Sequence, residues 1–121
     1  MKKRILVIED TEDNRQILRD LLASADFEVI EAVDGESGVA MAIEQRPDLI
    51  LMDIQLPLID GYEATRRIKA DQSTQHIPIV AVTSYALTGD ETKAREAGCD
   101  GYIAKPYSPR HLLKIVREFL E

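Results

Sequence analysis

Two kinds of apolar pattern alternate along the chain. Short continuous apolar runs occupy residues 5–8, 49–52 and 79–82. Such runs are typical of strands that are buried on both faces, as in a parallel sheet covered by helices. Two more mixed runs, at 27–30 and 101–104, suit the edge strands of the same sheet. The pattern therefore predicts five strands.

Segments with helical spacing separate these strands. In two of them, apolar residues recur every three or four positions, which indicates an amphipathic helix. The first stripe consists of Ile17, Leu18, Leu21, Leu22 and Ala25, and the second of Leu112, Leu113, Val116, Phe119 and Leu120. We expect both stripes to face the core.

Residues with capping preferences mark the boundaries of the predicted helices. Asp60 and Glu63 have the spacing of a capping box, and Ser108 can cap a helix whose first position is proline. Another helix is predicted to begin at Asp34 and Gly35 and to end before Pro47, and a further one to begin near Thr88 and to end at Gly98.

The order of elements is a strand followed by a helix, repeated five times with short connections. Parallel strands need crossovers, and these crossovers are right-handed, so the pattern predicts a doubly wound α/β sandwich. A length of 121 residues suits one domain, 1–121, without a linker or a second domain.

Composition excludes several classes of protein. Fifteen basic and twenty-two acidic residues give a net charge of −7, which disfavours non-specific binding to nucleic acid or to an anionic membrane. The apolar runs are shorter than the roughly 18 residues of a membrane span, and no signal peptide is recognisable. A single cysteine, Cys99, excludes internal disulfides and a Cys-rich zinc site. We expect a small, soluble, cytoplasmic domain.

Polar side chains follow four of the predicted strands. They are Glu9 and Asp10 after the first, Asp53 after the third, Thr83 and Ser84 after the fourth, and Lys105 and Pro106 after the fifth. Ligands of open α/β sheets bind at this edge. Three converging carboxylates would repel each other unless a cation such as Mg²⁺ lay between them. With Lys105 and Thr83 added, the set is typical of a phosphoryl site, although each residue taken alone could be a helix cap, a loop residue or a plain ion-pair partner.

Five motifs in this order resemble those of receiver domains in the CheY-like response-regulator family. They are residues 8–10, 51–53, 56–61, 82–83 and 102–106, and the likeness extends over essentially the whole chain. The segment from Ala81 to Pro106 most resembles single-domain regulators of the cell-division type and also receivers attached to hybrid kinases. The resemblance implies a flavodoxin-like parallel sheet in the order 2-1-3-4-5, flanked by five helices.

The resemblance also implies the roles of individual residues. Asp53 resembles the phosphoacceptor, which attacks a phosphohistidine of a histidine kinase or histidine phosphotransfer protein and becomes an aspartyl phosphate. Asp10 and Asp53 resemble Mg²⁺ ligands, with Glu9 acting through a bound water and Gln55 through its backbone carbonyl.

A second group of residues resembles the family's switch. Lys105 is similar to the lysine that pairs with phosphoryl oxygens, and its bond to Pro106 would be cis. Thr83 and Tyr102 match the switch pair, in which the hydroxyl turns toward the phosphoryl group and the ring rotates inward. Three residues that flank the site would tune the rate of dephosphorylation: Gln55, Ser84 and Tyr85.

The chain departs from the family pattern at two positions. Glu9 stands where the family often has aspartate, and Ser84 stands where the smallest residues are frequent. The longer arm of Glu9 should still reach a metal-bound water, whereas Ser84 is expected to slow access to the phosphoryl group.

The resemblance implies two protein-binding surfaces. The exposed side of the first helix would dock the histidine-bearing partner, with Asn14, Arg15 and Leu18 as candidates. A downstream protein target would bind the face built from the fourth helix, fifth strand and fifth helix.

Other functions remain as alternatives. The chain could be a phosphorylation-independent binding module, or a receiver cut from a hybrid kinase or multidomain regulator. Three enzyme classes are disfavoured because the flavin phosphate loop, the Asp-x-Asp pair and the nucleotide-binding Gly-rich loop are each missing. We do not expect an enzyme beyond the chain's own phosphorylation and slow hydrolysis.

Overall fold

Strands and helices alternate in the computed structural model, which describes residues 2–84 and 90–121. Within that part of the chain the strands are β1 (Arg4–Ile8), β2 (Glu28–Ala32), β3 (Leu49–Asp53), β4 (Ile79–Thr83) and β5 (Gly101–Ala104). The helices are α1 (Glu12–Ser24), α2 (Gly35–Gln45), α3 (Gly61–Ala70), α4 (Asp90–Ala97) and α5 (Pro109–Leu120).

The strands form one parallel sheet in the order β2-β1-β3-β4-β5, so the predicted fold and strand order are confirmed. Ile8 pairs with Met52, and Thr83 pairs with Ala104. This register brings the carboxyl ends of β1, β3, β4 and β5 to one edge of the sheet.

The core has two layers because side chains alternate along each strand. In β1, Leu6 and Ile8 pack on the side covered by α2 and α3, whereas Ile5 and Val7 pack on the side covered by α1 and α5. The three central strands are buried on both faces along almost their whole length, which explains their continuous apolar runs.

Most of the predicted helix boundaries are confirmed. Asp34 and Ser37 form a capping box at the start of α2, and the Ser108 hydroxyl accepts a hydrogen bond from the His111 amide. The α4 helix ends at Ala97 and is followed by Gly98 in a left-handed conformation, with φ of 114°. The predicted start of that helix near Thr88 lies outside the described residues.

Two expectations need correction. The second strand is Glu28–Ala32 and not 27–30, because its pairing with β1 continues until Ala32 meets Ile8. At α3, the Asp60 carboxylate accepts from the Glu63 amide as expected, but the Glu63 carboxylate accepts hydrogen bonds from two arginines further along the helix. The capping interaction therefore runs in one direction.

Candidate functional site

Three acidic side chains meet where β1 and β3 end. Glu9 and Asp10 directly follow β1, and Asp53 is the last residue of β3. One carboxylate oxygen of each residue lies within 4.8 Å of the others. Glu9 and Asp53 are only 2% and 5% exposed, whereas Asp10 is open to solvent. The result is an acidic pocket with one open side and a set of hard oxygen donors.

Glu9 is held in place by several groups. Its carboxylate accepts from the Thr11 amide at 3.2 Å, from Asn14 Nδ2 at 3.5 Å and from Lys105 Nζ at 3.2 Å. The Glu9 amide also donates to the Ala32 carbonyl at 3.1 Å. These contacts give Glu9 the best-supported carboxylate position of the three.

Asp53 has fewer compensating contacts. Its Oδ1 atom accepts from the Gln55 amide at 3.1 Å and lies 3.9 Å from Lys105 Nζ. Burial and the neighbouring Glu9 charge raise the pKa of Asp53 to about 7, although Lys105 and the Gln55 amide oppose this rise. Strongly shifted pKa values of buried carboxyl groups are typical of functional sites. A cation bound here would favour the deprotonated form of Asp53.

The pKa of Glu9 is shifted in the opposite direction from that of Asp53. Burial by itself would raise the pKa of Glu9, but the Thr11 amide, Lys105 and Asp53 outweigh it and lower that pKa below its ordinary value. Its surroundings therefore favour the charged form of Glu9, whereas burial and the Glu9 charge favour the protonated form of Asp53.

Lys105 and Thr83 complete the site from the other two strand ends. Lys105 follows β5, its bond to Pro106 is cis, and its ammonium group lies closer to Glu9 than to Asp53. Thr83 is the buried last residue of β4. Tyr102 of β5 pairs with Ala81, two residues before Thr83, and is half-buried against the core layer of α2 and α3.

Two of the predicted rate-tuning residues contact each other. The Ser84 hydroxyl donates to the side-chain oxygen of Gln55, so the loop after β3 and the end of β4 are joined beside Asp53. The third, Tyr85, lies outside the described residues.

Of the three docking residues expected on α1, Asn14 is half-buried beside Glu9, and the other two are less accessible than a docking role requires. Leu18 is buried in the core, and Arg15 is largely buried in ion pairs with Glu12 and Glu31. Ile17, which the apolar stripe placed toward the core, is 57% exposed. The stripe is wider than the face that α1 buries, so spacing alone did not separate Leu18 from Ile17.

Ile17 belongs to a groove that sequence reasoning missed. The groove has a volume of about 460 Å³ and lies between α1 and the segment joining β5 to α5. Its apolar lining includes Ile17, Leu21, Pro106, Tyr107 and Pro109, and Glu9 and Lys105 line it as well. The groove therefore opens next to the acidic site.

Among the described residues, no helix is both long enough and apolar enough to cross a membrane.

Comparison with known proteins agrees with this architecture. Residues 5–117 match the response regulator receiver domain family. The polar-differentiation response regulator DivK of Brucella anthropi is 42% identical over 120 residues, covering 99% of this chain and 98% of the relative. The DivK protein of Brucella ovis is 41% identical with the same coverage.

Solved structures agree as well. The receiver domain of the sensor histidine kinase PA1611 from Pseudomonas aeruginosa, which has a magnesium ion coordinated in its active site cleft, superposes with a TM-score of 0.93 at 38% identity. That match covers 99% of this chain and 98% of the other. Chemotaxis protein CheY4 of Vibrio cholerae superposes with a TM-score of 0.93 at 26% identity, covering 98% and 99%.

A parallel sheet in this order, with acids gathered at its carboxyl edge, defines a phosphorylation-controlled signalling domain of the CheY-like class. The chain belongs to the response regulator receiver domain family. It is a two-component regulator with DivK-type relatives of nearly the same length. The family, fold and general function expected from the sequence are thereby confirmed.

Proposed function

We propose that this receiver accepts a phosphoryl group on Asp53 in a Mg²⁺-dependent reaction. The observation that supports this most directly is the meeting of Asp53 with Glu9, Asp10 and Lys105 at the open edge of the sheet. The phosphoryl donor would be a phosphohistidine, since receivers interact with histidine kinases or phosphotransfer proteins. Receivers are not classical enzymes, and the chemistry proposed here modifies only the chain itself.

The residues present suit a magnesium ion. Asp10 and Asp53 would supply carboxylate oxygens, Gln55 its backbone carbonyl, and Glu9 would act through a bound water. Mg²⁺ prefers oxygen ligands and retains several waters, which the exposed side of Asp10 permits. When bound, the ion would neutralise charge on the carboxylates and on the incoming phosphoryl group. The magnesium in the PA1611 receiver supports this assignment.

The chain's own residues would then perform the transfer. A carboxylate oxygen of Asp53 attacks phosphorus, the new O–P bond forms, and the P–N bond to the donor imidazole breaks with its electron pair returning to nitrogen. Lys105 would turn from Glu9 to the transferred oxygens, and the Thr83 hydroxyl would donate to another of them. Tyr102 would rotate inward after Thr83 and alter the face of α4, β5 and α5, where a downstream target would bind.

The direct test uses a small-molecule donor. We expect purified protein incubated with Mg²⁺ and acetyl phosphate to gain the mass of one phosphoryl group, and Asp53→Asn to gain none. Asp13→Asn, which alters an exposed acid in the first turn of α1, is the matched control and should be phosphorylated like the wild type. Intact-protein mass spectrometry measures all three. Undiminished labelling of Asp53→Asn would overturn the assignment, and no labelling of the wild type would favour a phosphorylation-independent binding module.

A further inference from the structure

A network of four charged side chains joins α1 to β2 next to the acidic site. Arg19 Nη1 lies 3.0 and 2.9 Å from the two carboxylate oxygens of Glu31, and Arg19 Nη2 lies 3.2 Å from Glu12. Arg15 pairs with the same two acids, through Nε at 3.4 Å from Glu31 and through Nη2 with Glu12. The two arginines therefore form ion pairs with the same two acids, Glu12 and Glu31.

Arg15 makes one contact that Arg19 does not share. Its Nη1 atom donates to the backbone carbonyl of Glu9 at 2.8 Å. The Arg15 side chain is 11% exposed, against 37% for Arg19, so this contact is largely shielded from water. Arg15 thus connects the ion-pair network to the backbone that carries two of the three site acids.

The Glu9 carbonyl belongs to the peptide unit that leads into Asp10. Because a peptide unit is planar, holding its oxygen sets the direction in which the chain continues to the Asp10 Cα. On the other side of Glu9, the amide is held by Ala32 of β2. For the Asp10 carboxylate itself, the structure gives no hydrogen bond to any described residue, so its position depends on this backbone.

We infer that Arg15 is a positioning residue for the metal site, orienting the Glu9–Asp10 peptide so that the Asp10 carboxylate meets those of Glu9 and Asp53. The inference rests on the proposed Mg²⁺ function. The planar guanidinium suits the task because its five donors point in fixed, different directions and reach one carbonyl and two carboxylates together. A lysine ammonium is a single compact group and cannot reproduce that span.

Mg²⁺ affinity, measured by isothermal titration calorimetry, tests this inference. Outer groups that orient metal ligands typically contribute about 10- to 100-fold to affinity. We expect about 10-fold weaker binding in Arg15→Ala and a similar loss in Arg15→Lys, which keeps the charge but not the fork. Arg19→Ala, which removes ion pairs to the same acids without touching Glu9, should bind within about twofold of wild type.

A purely structural role gives a different result, because both arginines pair with Glu12 and Glu31. In that case, Mg²⁺ affinity would fall equally in Arg15→Ala and Arg19→Ala, or it would fall most in the variant with the lower free energy of unfolding. Urea denaturation shows which variants are folded. In amide NMR spectra, we expect the Asp10 amide signal to move only in the Arg15 variants. Wild-type affinity in Arg15→Ala would overturn this inference alone. Wild-type protein that does not bind Mg²⁺ would overturn the proposed metal site and this inference with it.

Discussion

At the scale of single residues, the charge state of Asp53 would control the proposed phosphoryl transfer. Burial and the Glu9 charge raise the pKa of Asp53 to about 7, so without a cation much of this carboxyl group is protonated near neutral pH. A nucleophilic carboxylate must be deprotonated. In the proposed reaction, phosphoryl acceptance would therefore be coupled to the binding of positive charge, from Mg²⁺ or from a shift of Lys105 toward Asp53.

The raised pKa has a consequence for stability. In the unfolded chain the pKa of an aspartate is about 3.9. Between about pH 3.9 and about pH 7, the Asp53 carboxyl is deprotonated in the unfolded chain but still largely protonated in the folded protein. Raising the pH through this range therefore lowers the free energy of unfolding, and this decrease levels off above about pH 7. In EDTA, we expect Asp53→Asn to be more stable than wild type by about 1 to 3 kcal/mol at pH 8, with the gain much reduced at pH 4.5.

Urea denaturation at pH 4.5, 6 and 8 measures this difference. Asp13→Asn serves as the control, because its exposed carboxyl group lies outside the acidic cluster, and it should show no such pH-dependent gain. Equal stability of Asp53→Asn and wild type at pH 8 would show that the Asp53 carboxyl carries no burial penalty.

At the scale of elements, α1 buries one face in the core and leaves an adjacent apolar residue exposed. Leu18 and Leu22 are buried in the core layer shared with α5, whereas Ile17 faces the groove beside Glu9 and Lys105. An exposed aliphatic residue next to a phosphoryl site suits contact with the protein that delivers the phosphoryl group. Protein interfaces often concentrate their binding energy in a few central, well-packed residues.

We expect Ile17→Ser to slow phosphotransfer from a protein donor by about 5- to 50-fold, consistent with about 1 to 2 kcal/mol for an apolar contact residue. The donor is the kinase or phosphotransfer protein that reacts fastest in a panel. Labelling by acetyl phosphate should stay unchanged, because the acidic site is intact. Ile43→Ser, the same change at a 37% exposed residue of α2, is the control and should slow neither reaction. Equal slowing by both variants would rule out a docking role for Ile17.

At the scale of the whole molecule, charge repulsion is concentrated at one edge of an acidic protein. The net charge is −7, and three carboxylates converge at the end of two adjacent strands. A ligand that binds only the folded state stabilises it by RT ln(1 + L/Kd), where L is the concentration of free ligand. If Mg²⁺ binds the proposed site, we therefore expect it to stabilise the folded protein in addition to its part in the proposed phosphoryl transfer.

We expect saturating Mg²⁺, at about 100 times its dissociation constant, to raise the free energy of unfolding by about 2.7 kcal/mol. Thermal melts with MgCl₂ and with NaCl at equal ionic strength separate this effect from general screening. Asp10→Asn should lose most of the stabilisation, while Asp13→Asn should retain it. Equal melting temperatures in the two salts would argue against a specific ion site.

Local patterns predicted the order of elements and the residues at the strand ends. Continuous apolar runs indicated the central strands because those strands are buried on both faces, and cap residues marked three helix boundaries. The same patterns failed at β2 and at Ile17. A partly exposed edge strand carries a weaker signal, and an apolar stripe does not say which of its residues a neighbouring element covers.

By itself, the sequence determined the α/β order, the parallel sheet and the presence of three acids, a lysine and a threonine at strand ends, because periodicity and capping are encoded between near neighbours. Contacts between elements alone decided that the pKa of Asp53 is raised while that of Glu9 is lowered, that Lys105 lies against Glu9, and that Arg15 reaches the Glu9 carbonyl while bound to Glu31. Burial and the distances between side chains of different elements set these properties, and neither is present until the sheet has assembled.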